Sequence, residues 1–129
     1  MKRKIYIVLL TLYALSAQTF SIARIHYGGG GDWYSDPSSI PNLLKYLSTN
    51  TPISVNPEEA RIKLTDENAN QYPYLYLTGH GNIKFTDDEI ISLRTILMNN
   101  GFLHADDNYG MDASFRREIK RIFPNKDLV

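Results

Sequence analysis

A histidine with a glycine on each side stands where a tyrosine-rich apolar segment ends. The stretch 78–82 reads TGHGN, and a helix start follows a few residues later. An imidazole suits acid–base chemistry near neutral pH, and the flanking glycines clear space around its ring. A lone histidine is more often structural, so two interpretations of His80 stay open. It is either a ligand-contacting or basic imidazole, or a residue that only holds its turn.

Acidic and aromatic residues follow a glycine run earlier in the chain. Residues 28–34 read GGGGDWY. The run lacks the Lys-Ser/Thr pair of a P-loop, and no glycine stands three residues after Gly30, as the dinucleotide fingerprint requires. A tryptophan beside a carboxylate is a common ligand platform. Trp33 next to Asp32 fits that description, and packing of the loop by Trp33 explains it equally well.

A second acidic group, Asp106 and Asp107, precedes Asn108. Adjacent carboxylates resemble a catalytic pair, but neighbours in an extended strand point to opposite faces, so at best one faces a site. Asn108 suits an Asx-type turn. Such oxygen ligands could hold Ca²⁺ or Mg²⁺, yet the sequence has no twelve-residue calcium loop.

The sequence lacks the residues that several kinds of chemistry require. The chain contains no cysteine, which removes thiol nucleophiles and thiolate metal ligands. The three histidines do not follow a zinc-site spacing, and there is no Gly-x-Ser-x-Gly elbow. We therefore predict neither a metal ion nor a cofactor. An acid–base mechanism in which His80 works with Asp106 or Asp107 stays open.

The amino terminus has the three-part layout of a secretory signal peptide. A basic start is followed by thirteen uncharged residues from Ile5 to Ala17, with small residues near the end. That run is shorter than the ~20 residues that span a membrane, so only an uncleaved leader would attach the protein to one. We predict a signal peptide at 1–18, a single domain at 19–129, and export to the periplasm or the exterior.

Loss of the leader also changes the charge. The whole chain has 14 basic and 14 acidic residues, and without Lys2, Arg3 and Lys4 the balance becomes 11 to 14, or −3. Nucleic-acid binding needs a basic face, so we predict no nucleic-acid partner.

The mature chain alternates short apolar runs with helical patterns, which is typical of stacked βα units. Apolar spacing predicts a helix after Asp36-Pro37, a second helix with a capping box from Thr86 to Glu89, and a third capped by Asp112. One or two short edge strands, then a polar loop or helical turn, are expected within 53–71. Three clearer strands are predicted at 21–27, 72–78 and 102–106.

The last helix raises two further points. Four basic residues among its apolar positions are expected to form a solvated face: Arg116, Arg117, Lys120 and Arg121. A parallel βα unit normally feeds another strand, and none follows Val129. Either this helix is terminal, or the chain is the front part of a longer domain.

These elements predict an α/β fold with a mainly parallel sheet between helices on both faces, a three-layer arrangement. Loops that leave the carboxyl ends of parallel strands share one edge, where ligands bind. Three loops should meet there: 28–34, 79–82 and 106–110. They are also the segments richest in glycine, histidine, aspartate and aromatic residues.

Three long stretches resemble an exported bacterial family known as domain of unknown function 4159: ARIHYGGGGDWYSDPSSIPNLLKYL, YPYLYLTGHGNIKFTDDEIISLRTIL and GFLHADDNYGMDASFRREIKRIFP. The family is similar to class I glutamine-amidotransferase-like domains, which implies a flavodoxin-like fold. The amidotransferases carry a cysteine nucleophile at a turn that corresponds here to 104–108, where no cysteine stands. The resemblance therefore implies the fold but argues against amidotransferase activity. Family members usually continue past the point where this chain ends.

These residues support three functional hypotheses of different classes. The leading hypothesis is a site for a polar ligand, such as a carbohydrate, at the carboxyl edge of the sheet. The second is a hydrolase with His80 as base and an aspartate orienting it, and the third is a protein-interaction module of a cell-envelope assembly. The predicted ligand-binding residues are Gly29, Gly30, Asp32, Trp33, His80, Asn82 and Asn108.

Overall fold

Every pair of neighbouring strands in the sheet is parallel. The computed structural model describes residues 19–128, so the predicted signal peptide at 1–18 lies outside the described residues. Along the chain the elements are β1 (Ile22–Ile25), α1 (Ser39–Asn50), β2 (Ala60–Ile62), a 3₁₀ turn (Ala69–Gln71), β3 (Tyr74–His80), α2 (Asp87–Met98), β4 (Phe102–Tyr109) and α3 (Asp112–Ile122).

The spatial order of the strands is β2-β1-β3-β4. It matches the first four strands of the flavodoxin-like order 2-1-3-4-5. The predicted α/β class and parallel sheet are therefore confirmed. The expectation for 53–71 is confirmed too, because β2 is an edge strand and a single 3₁₀ turn follows it. Among the described residues, no helix combines the length and the apolar character needed to cross a membrane.

Alternation along the strands divides the core into two layers. On one side, Ile22 and Tyr76 pack with Ile40 and Leu44 of α1. On the other side, a larger cluster joins the sheet to α2 and α3 through buried side chains: Ala23, Ile25, Leu75, Leu77, Ile90, Leu93, Ile96 and Ile122. We refer to these two sides as the α1 face and the α2/α3 face.

Two strands run further than the sequence predicts. β3 continues through Gly79 to His80, and β4 continues to Tyr109, so residues expected in loops lie in the sheet. Glycine weakens a strand on its own. Here the two strands pair with each other through Gly79 and Asp107, and these ladder hydrogen bonds outweigh the local preference. A register shift follows, which places His80 beside Tyr109.

The helix starts differ in their caps. The predicted capping box of α2 is confirmed, since Thr86 Oγ1 accepts from Glu89 N and Glu89 Oε2 accepts from Thr86 N. The predicted cap of α3 by Asp112 is wrong, because Asp112 is already helical. Asp107 caps that helix instead and accepts hydrogen bonds from the backbone N–H of Met111 at 3.0 Å and of Asp112 at 3.1 Å.

Candidate functional site

The three predicted segments meet at the carboxyl edge of the sheet, as parallel strands require. The backbone N–H of Gly31 donates to the carbonyl of Asn82 at 3.1 Å, and the Asn82 amide donates to the carbonyl of Gly29 at 3.0 Å. Asn108 lies in the third segment, and its side-chain amide donates to Ser35 Oγ, just after the first segment, at 3.1 Å. Asn82 and Asn108 therefore use their side chains to join segments.

Asp32 and His80 form the central contact of this edge. Asp32 Oδ2 lies 2.9 Å from His80 Nδ1, and Oδ1 accepts the backbone N–H of the same histidine. An ionised carboxylate can only accept hydrogen bonds, so the proton of the neutral ring lies on Nδ1. Nε2 is left as an acceptor, and it makes no hydrogen bond to a described residue. The His80 side chain is 55% exposed, so Nε2 is accessible to a ligand.

Hydrogen bonds from His80 stabilise the negative charge of Asp32. The hydrogen bond from the His80 backbone N–H is the largest cause that lowers the pKa of Asp32. Below it, the Tyr27 hydroxyl donates to the carbonyl of Thr78 at 3.0 Å. Burial first, and then the negative charge of Asp32, raises the pKa of Tyr27 to about 12. Asp32 is therefore an anion and Tyr27 a neutral phenol at physiological pH.

Gly79 allows this close approach. Its φ of +144° lies in a region that side chains rarely adopt, and a Cβ there would meet the Tyr27 hydroxyl and would lie 3.0 Å from Asp32 Oδ1. The glycine before His80 thus makes room for its carboxylate partner. By contrast, a Cβ on Gly30 would meet nothing within 4 Å. A Cβ on Gly29 would lie 2.6 Å from Lys84 N and 2.9 Å from the Asn82 carbonyl oxygen, so Gly29 also allows a close approach. The ligand-binding role of Gly29 and Gly30 stays a prediction.

A buried arginine in β1 holds the segment after Asp32, and it was not among the residues predicted for the site. Arg24 is 1% exposed and pairs with Glu59 at 3.1 Å. Its guanidinium also donates to the backbone carbonyls of Trp33, Ser35 and Asp36. The signal in the sequence was a charged residue in the middle of an otherwise apolar strand, since such a charge must be paired when the strand is covered.

Trp33 packs its own loop. Its ring stacks on His26 with centroids 4.1 Å apart, and it contacts the core cluster of the α2/α3 face. Of the two interpretations of Trp33, the structure favours packing over an open platform. The neighbouring Tyr34 is the exposed aromatic residue of this loop.

The two carboxylates of β4 diverge, as the strand geometry predicts. Asp106 accepts a hydrogen bond from the Tyr76 hydroxyl at 2.8 Å on the α1 face, while Asp107 caps α3. Neither makes a hydrogen bond to His80 among the described residues. The aspartate that orients His80 is Asp32, so the predicted pairing of His80 with Asp106 or Asp107 is replaced.

Arginines of α3 fix the segment that leaves His80. Arg117 donates to the carbonyl of Ile83 at 2.6 Å, and Arg121 donates to that of Phe85 at 2.8 Å. The buried Glu118 binds both guanidiniums and accepts the backbone N–H of Phe85 at 3.1 Å. The four basic residues of α3 are exposed, as predicted. Arg117 and Arg121 in addition bind the backbone of the segment that leads into α2.

A family model described as Domain of unknown function (DUF4159) matches residues 21–129. The chain belongs to this family. No curated protein matches its sequence. The family has no assigned activity in its description, so the chemistry must be argued from the residues themselves.

The surface beside His80 in this DUF4159 domain is aromatic. Tyr109 pairs with His80 across β3 and β4 and is 83% exposed, and its carbonyl accepts the N–H of Gly81 at 3.3 Å. Within residues 19–128, no three histidine, aspartate or glutamate side chains come together in a way that could hold a metal ion. The site thus offers an imidazole acceptor, a fixed carboxylate and an exposed phenol ring.

Proposed function

We propose that the protein is an exported domain that binds a polar, hydroxyl-rich ligand at the carboxyl edge of its sheet, with His80 as the central contact. The observation that carries this proposal is the double contact of Asp32 with the ring and the backbone of His80. This contact holds the end of β3 and also leaves Nε2 as the acceptor of an exposed ring. Here the free Nε2 faces solvent in a defined orientation.

The chemistry of the edge favours a carbohydrate or a similar envelope molecule. Nε2 of His80 accepts a hydrogen bond from a ligand hydroxyl. The exposed rings of Tyr109 and Tyr34 offer apolar faces with a polar tip, which suits the mixed surface of a sugar. The stacking residues of this proposal are Tyr34, as the sequence suggested, and Tyr109 in place of Trp33.

Export is part of the proposal and rests on the leader sequence at 1–18. A polymer or glycan of the cell envelope is the ligand that such a location would provide. Because the chain has no cysteine, its stability outside the cytoplasm comes from the two core layers and not from disulfides.

A hydrolase is the second candidate, and the same contact favours it. A carboxylate on Nδ1 orients an imidazole so that Nε2 can take a proton, as in the acid–base pairs of many hydrolases. In this version, Nε2 of His80 takes a proton from water as the water oxygen attacks the scissile bond. Asp32 stabilises the imidazolium, which then gives the proton to the leaving group. Asp32 takes the role that was predicted for Asp106 or Asp107.

Ligand titration followed by NMR tests the primary proposal. The ¹⁵N-labelled protein is titrated with soluble envelope oligosaccharides, and we expect shifts centred on His80, Tyr109 and Tyr34. His80→Ala and Asp32→Asn should each weaken binding. The matched control is His104→Ala, which removes a histidine on the α1 face and should leave the affinity unchanged.

The outcomes separate the two candidates. Binding without turnover supports the ligand site, whereas release of shorter products that needs both His80 and Asp32 supports the hydrolase. The proposal fails if no oligosaccharide shifts the edge residues, or if His80→Ala binds as tightly as the wild type.

A further inference from the structure

A groove with an excess of positive charge lies between α3 and the segment that leads from His80 to α2. Its volume is about 450 Å³, which is within the range of small-ligand sites. The lining carries three cationic side chains and one carboxylate, a balance of +2, and consists of Asn82, Lys84, Phe85, Arg117, Glu118 and Arg121. Residues 19–129 as a whole contain 11 basic and 14 acidic residues, so the groove is opposite in sign to the domain that contains it.

The ion pairs of the groove leave Lys84 out. The buried Glu118 lies 2.9 Å from Arg117 and 2.6 Å from Arg121, so two guanidiniums share one carboxylate. The exposed Asp87 pairs with Arg121 beside the groove, and with Asp87 included the balance is still +1. Lys84 is exposed, and its ammonium group makes neither an ion pair nor a hydrogen bond to a described residue. The surplus charge of the groove therefore lies on Lys84.

The backbone around Lys84 directs its side chain. Lys84 N donates to the Gly28 carbonyl at 2.8 Å, so this residue lies against the glycine run at 28–31. Its neighbours Ile83 and Phe85 are buried, and successive side chains of extended backbone point to opposite sides. The Lys84 side chain therefore points away from the core and lines the groove.

Arg117 is held in place before any ligand binds. Its Nε donates to Glu118, and its Nη2 donates to the Ile83 carbonyl and to Asn82 Oδ1. Nη1 also carries N–H groups, and these make no hydrogen bond to a described residue. The side chain is 51% exposed, so the guanidinium is open to solvent. A donor fixed in this way loses little conformational entropy when it binds a carboxylate or a phosphate.

Asn82 connects the groove to the edge at which His80 lies. Its side chain donates to the Gly29 carbonyl and accepts from Arg117, so it contacts both the glycine run and α3. Asn82 follows His80 by two residues, so their Cα atoms lie within about 7 Å of each other. A ligand of more than one sugar unit can therefore contact His80 and the groove at the same time.

We propose that this groove binds an anionic substituent, a carboxylate or a phosphate, of the saccharide that contacts His80. Lys84 is its main contact, and Arg117 is the second donor. The inference rests on the proposed function and narrows its ligand to an acidic saccharide. Oxyanions of this kind accept charged hydrogen bonds from ammonium and guanidinium groups, which are stronger than those between neutral groups.

Matched ligands test the proposal. The ¹⁵N-labelled protein is titrated with an oligogalacturonate, whose rings carry carboxylates, and with its methyl ester, in which the same groups are uncharged. We expect the wild type to bind the charged oligomer about tenfold more tightly or more, as one charged hydrogen bond predicts. Lys84→Gln should remove most of this preference and leave the affinity for the methyl ester unchanged. The control Lys45→Gln removes the same charge from α1, on the other side of the sheet, and should keep the preference.

A glycerol phosphate oligomer distinguishes the two sources of negative charge. If its binding depends on Lys84 and that of the oligogalacturonate does not, the substituent is a phosphate, and the reverse result assigns a carboxylate. The proposal is overturned if Lys84→Gln binds both charged oligomers as tightly as the wild type does. Because the Lys84 side chain takes no part in holding residues 83–85, this substitution leaves the clamp of α3 on that segment intact.

Inorganic phosphate separates this inference from the proposed function. In a titration at constant pH and ionic strength, the amide signals of residues 82–84 should shift in the wild type and in His80→Ala, but not in Lys84→Gln. If phosphate shifts these signals and no saccharide binds, the anion site stands and the saccharide ligand is wrong. If a neutral oligosaccharide binds at His80 and neither phosphate nor ligand charge has an effect, the saccharide site stands and the groove proposal is overturned.

Discussion

Asp32 reaches from the loop after β1 to the end of β3 and contacts both the ring and the backbone of His80. The Oδ2–Nδ1 distance is 2.9 Å, and Oδ1 accepts the backbone N–H. One carboxylate thus fixes the position of the strand end and the tautomer of its imidazole. It links two segments that are 48 residues apart in the chain.

The first prediction concerns pH. The pKa of Asp32 is lowered in the folded protein. Such a carboxylate contributes its full stability above its unfolded pKa of about 3.9, and it loses that contribution as the pH falls through the folded value. We expect the difference in melting temperature between the wild type and Asp32→Asn to be largest at neutral pH and to shrink in acid. Calorimetry across this range measures it, with the exposed Asp88→Asn as the control. A difference that stays constant with pH contradicts the prediction.

The second prediction compares two arginines that bind the same carboxylate. Glu59 pairs with Arg24, which is 1% exposed, and with Arg61, whose side chain is 56% exposed. Arg24→Met leaves Glu59 and three carbonyls without their buried donor and should cost about 3–5 kcal/mol. Arg61→Met should cost less than about 1 kcal/mol. Urea unfolding measures both, and equal losses would show that burial of Arg24 does not matter.

The third prediction compares two glycines with positive φ. Gly79→Ala and Gly30→Ala both place a side chain in a strained backbone region, which costs about 1–3 kcal/mol. Only at Gly79 does the new Cβ also meet Tyr27 and Asp32. Gly79→Ala should therefore be clearly more destabilising, and it should shift the His80 ring resonances in NMR spectra. If Gly30→Ala lowers the free energy of unfolding by as much, then contacts of the new Cβ with Tyr27 and Asp32 do not add to the cost of backbone strain at Gly79.

The fourth prediction concerns Glu118, which together with Arg117 and Arg121 holds the backbone of residues 83–85. Burial raises the pKa of Glu118, but the Phe85 N–H and the two arginines outweigh it, so the pKa is lowered overall. Glu118→Gln weakens charged hydrogen bonds and should cost about 1.5–3 kcal/mol in chemical unfolding. Asp112→Asn, which breaks an exposed ion pair with Arg116 on the same helix, should cost at most about 1 kcal/mol. Equal effects would argue against a structural role for the buried carboxylate.

Much of the fold could be predicted because it depends on local patterns. Apolar spacing located the helices, and the capping box of α2 follows from residues three apart. The parallel sheet followed from the alternation of strands and helices. Strand ends could not be predicted in the same way, because ladder hydrogen bonds between β3 and β4 extend both strands past a glycine.

The site was predicted as a set of segments but not as a set of contacts. Parallel topology alone brings 28–34, 79–82 and 106–110 to one edge. The partner of His80 depends on how the loop after β1 folds back, and Arg24 decides that by binding the carbonyls of Trp33, Ser35 and Asp36. The sequence marks Arg24 as a charge that must be paired inside a covered strand, but it does not show which carbonyls the guanidinium binds.

The sequence by itself determined the α/β class, the family, the helix positions and the edge at which His80 lies, since each depends on short-range periodicity or on long matching stretches. The tertiary structure decided that Asp32 orients His80, that Trp33 packs while Tyr109 is exposed, and that Asp106 and Asp107 serve different faces. These outcomes depend on distances between residues far apart in the chain, which packing and hydrogen bonding set only after the strands have paired.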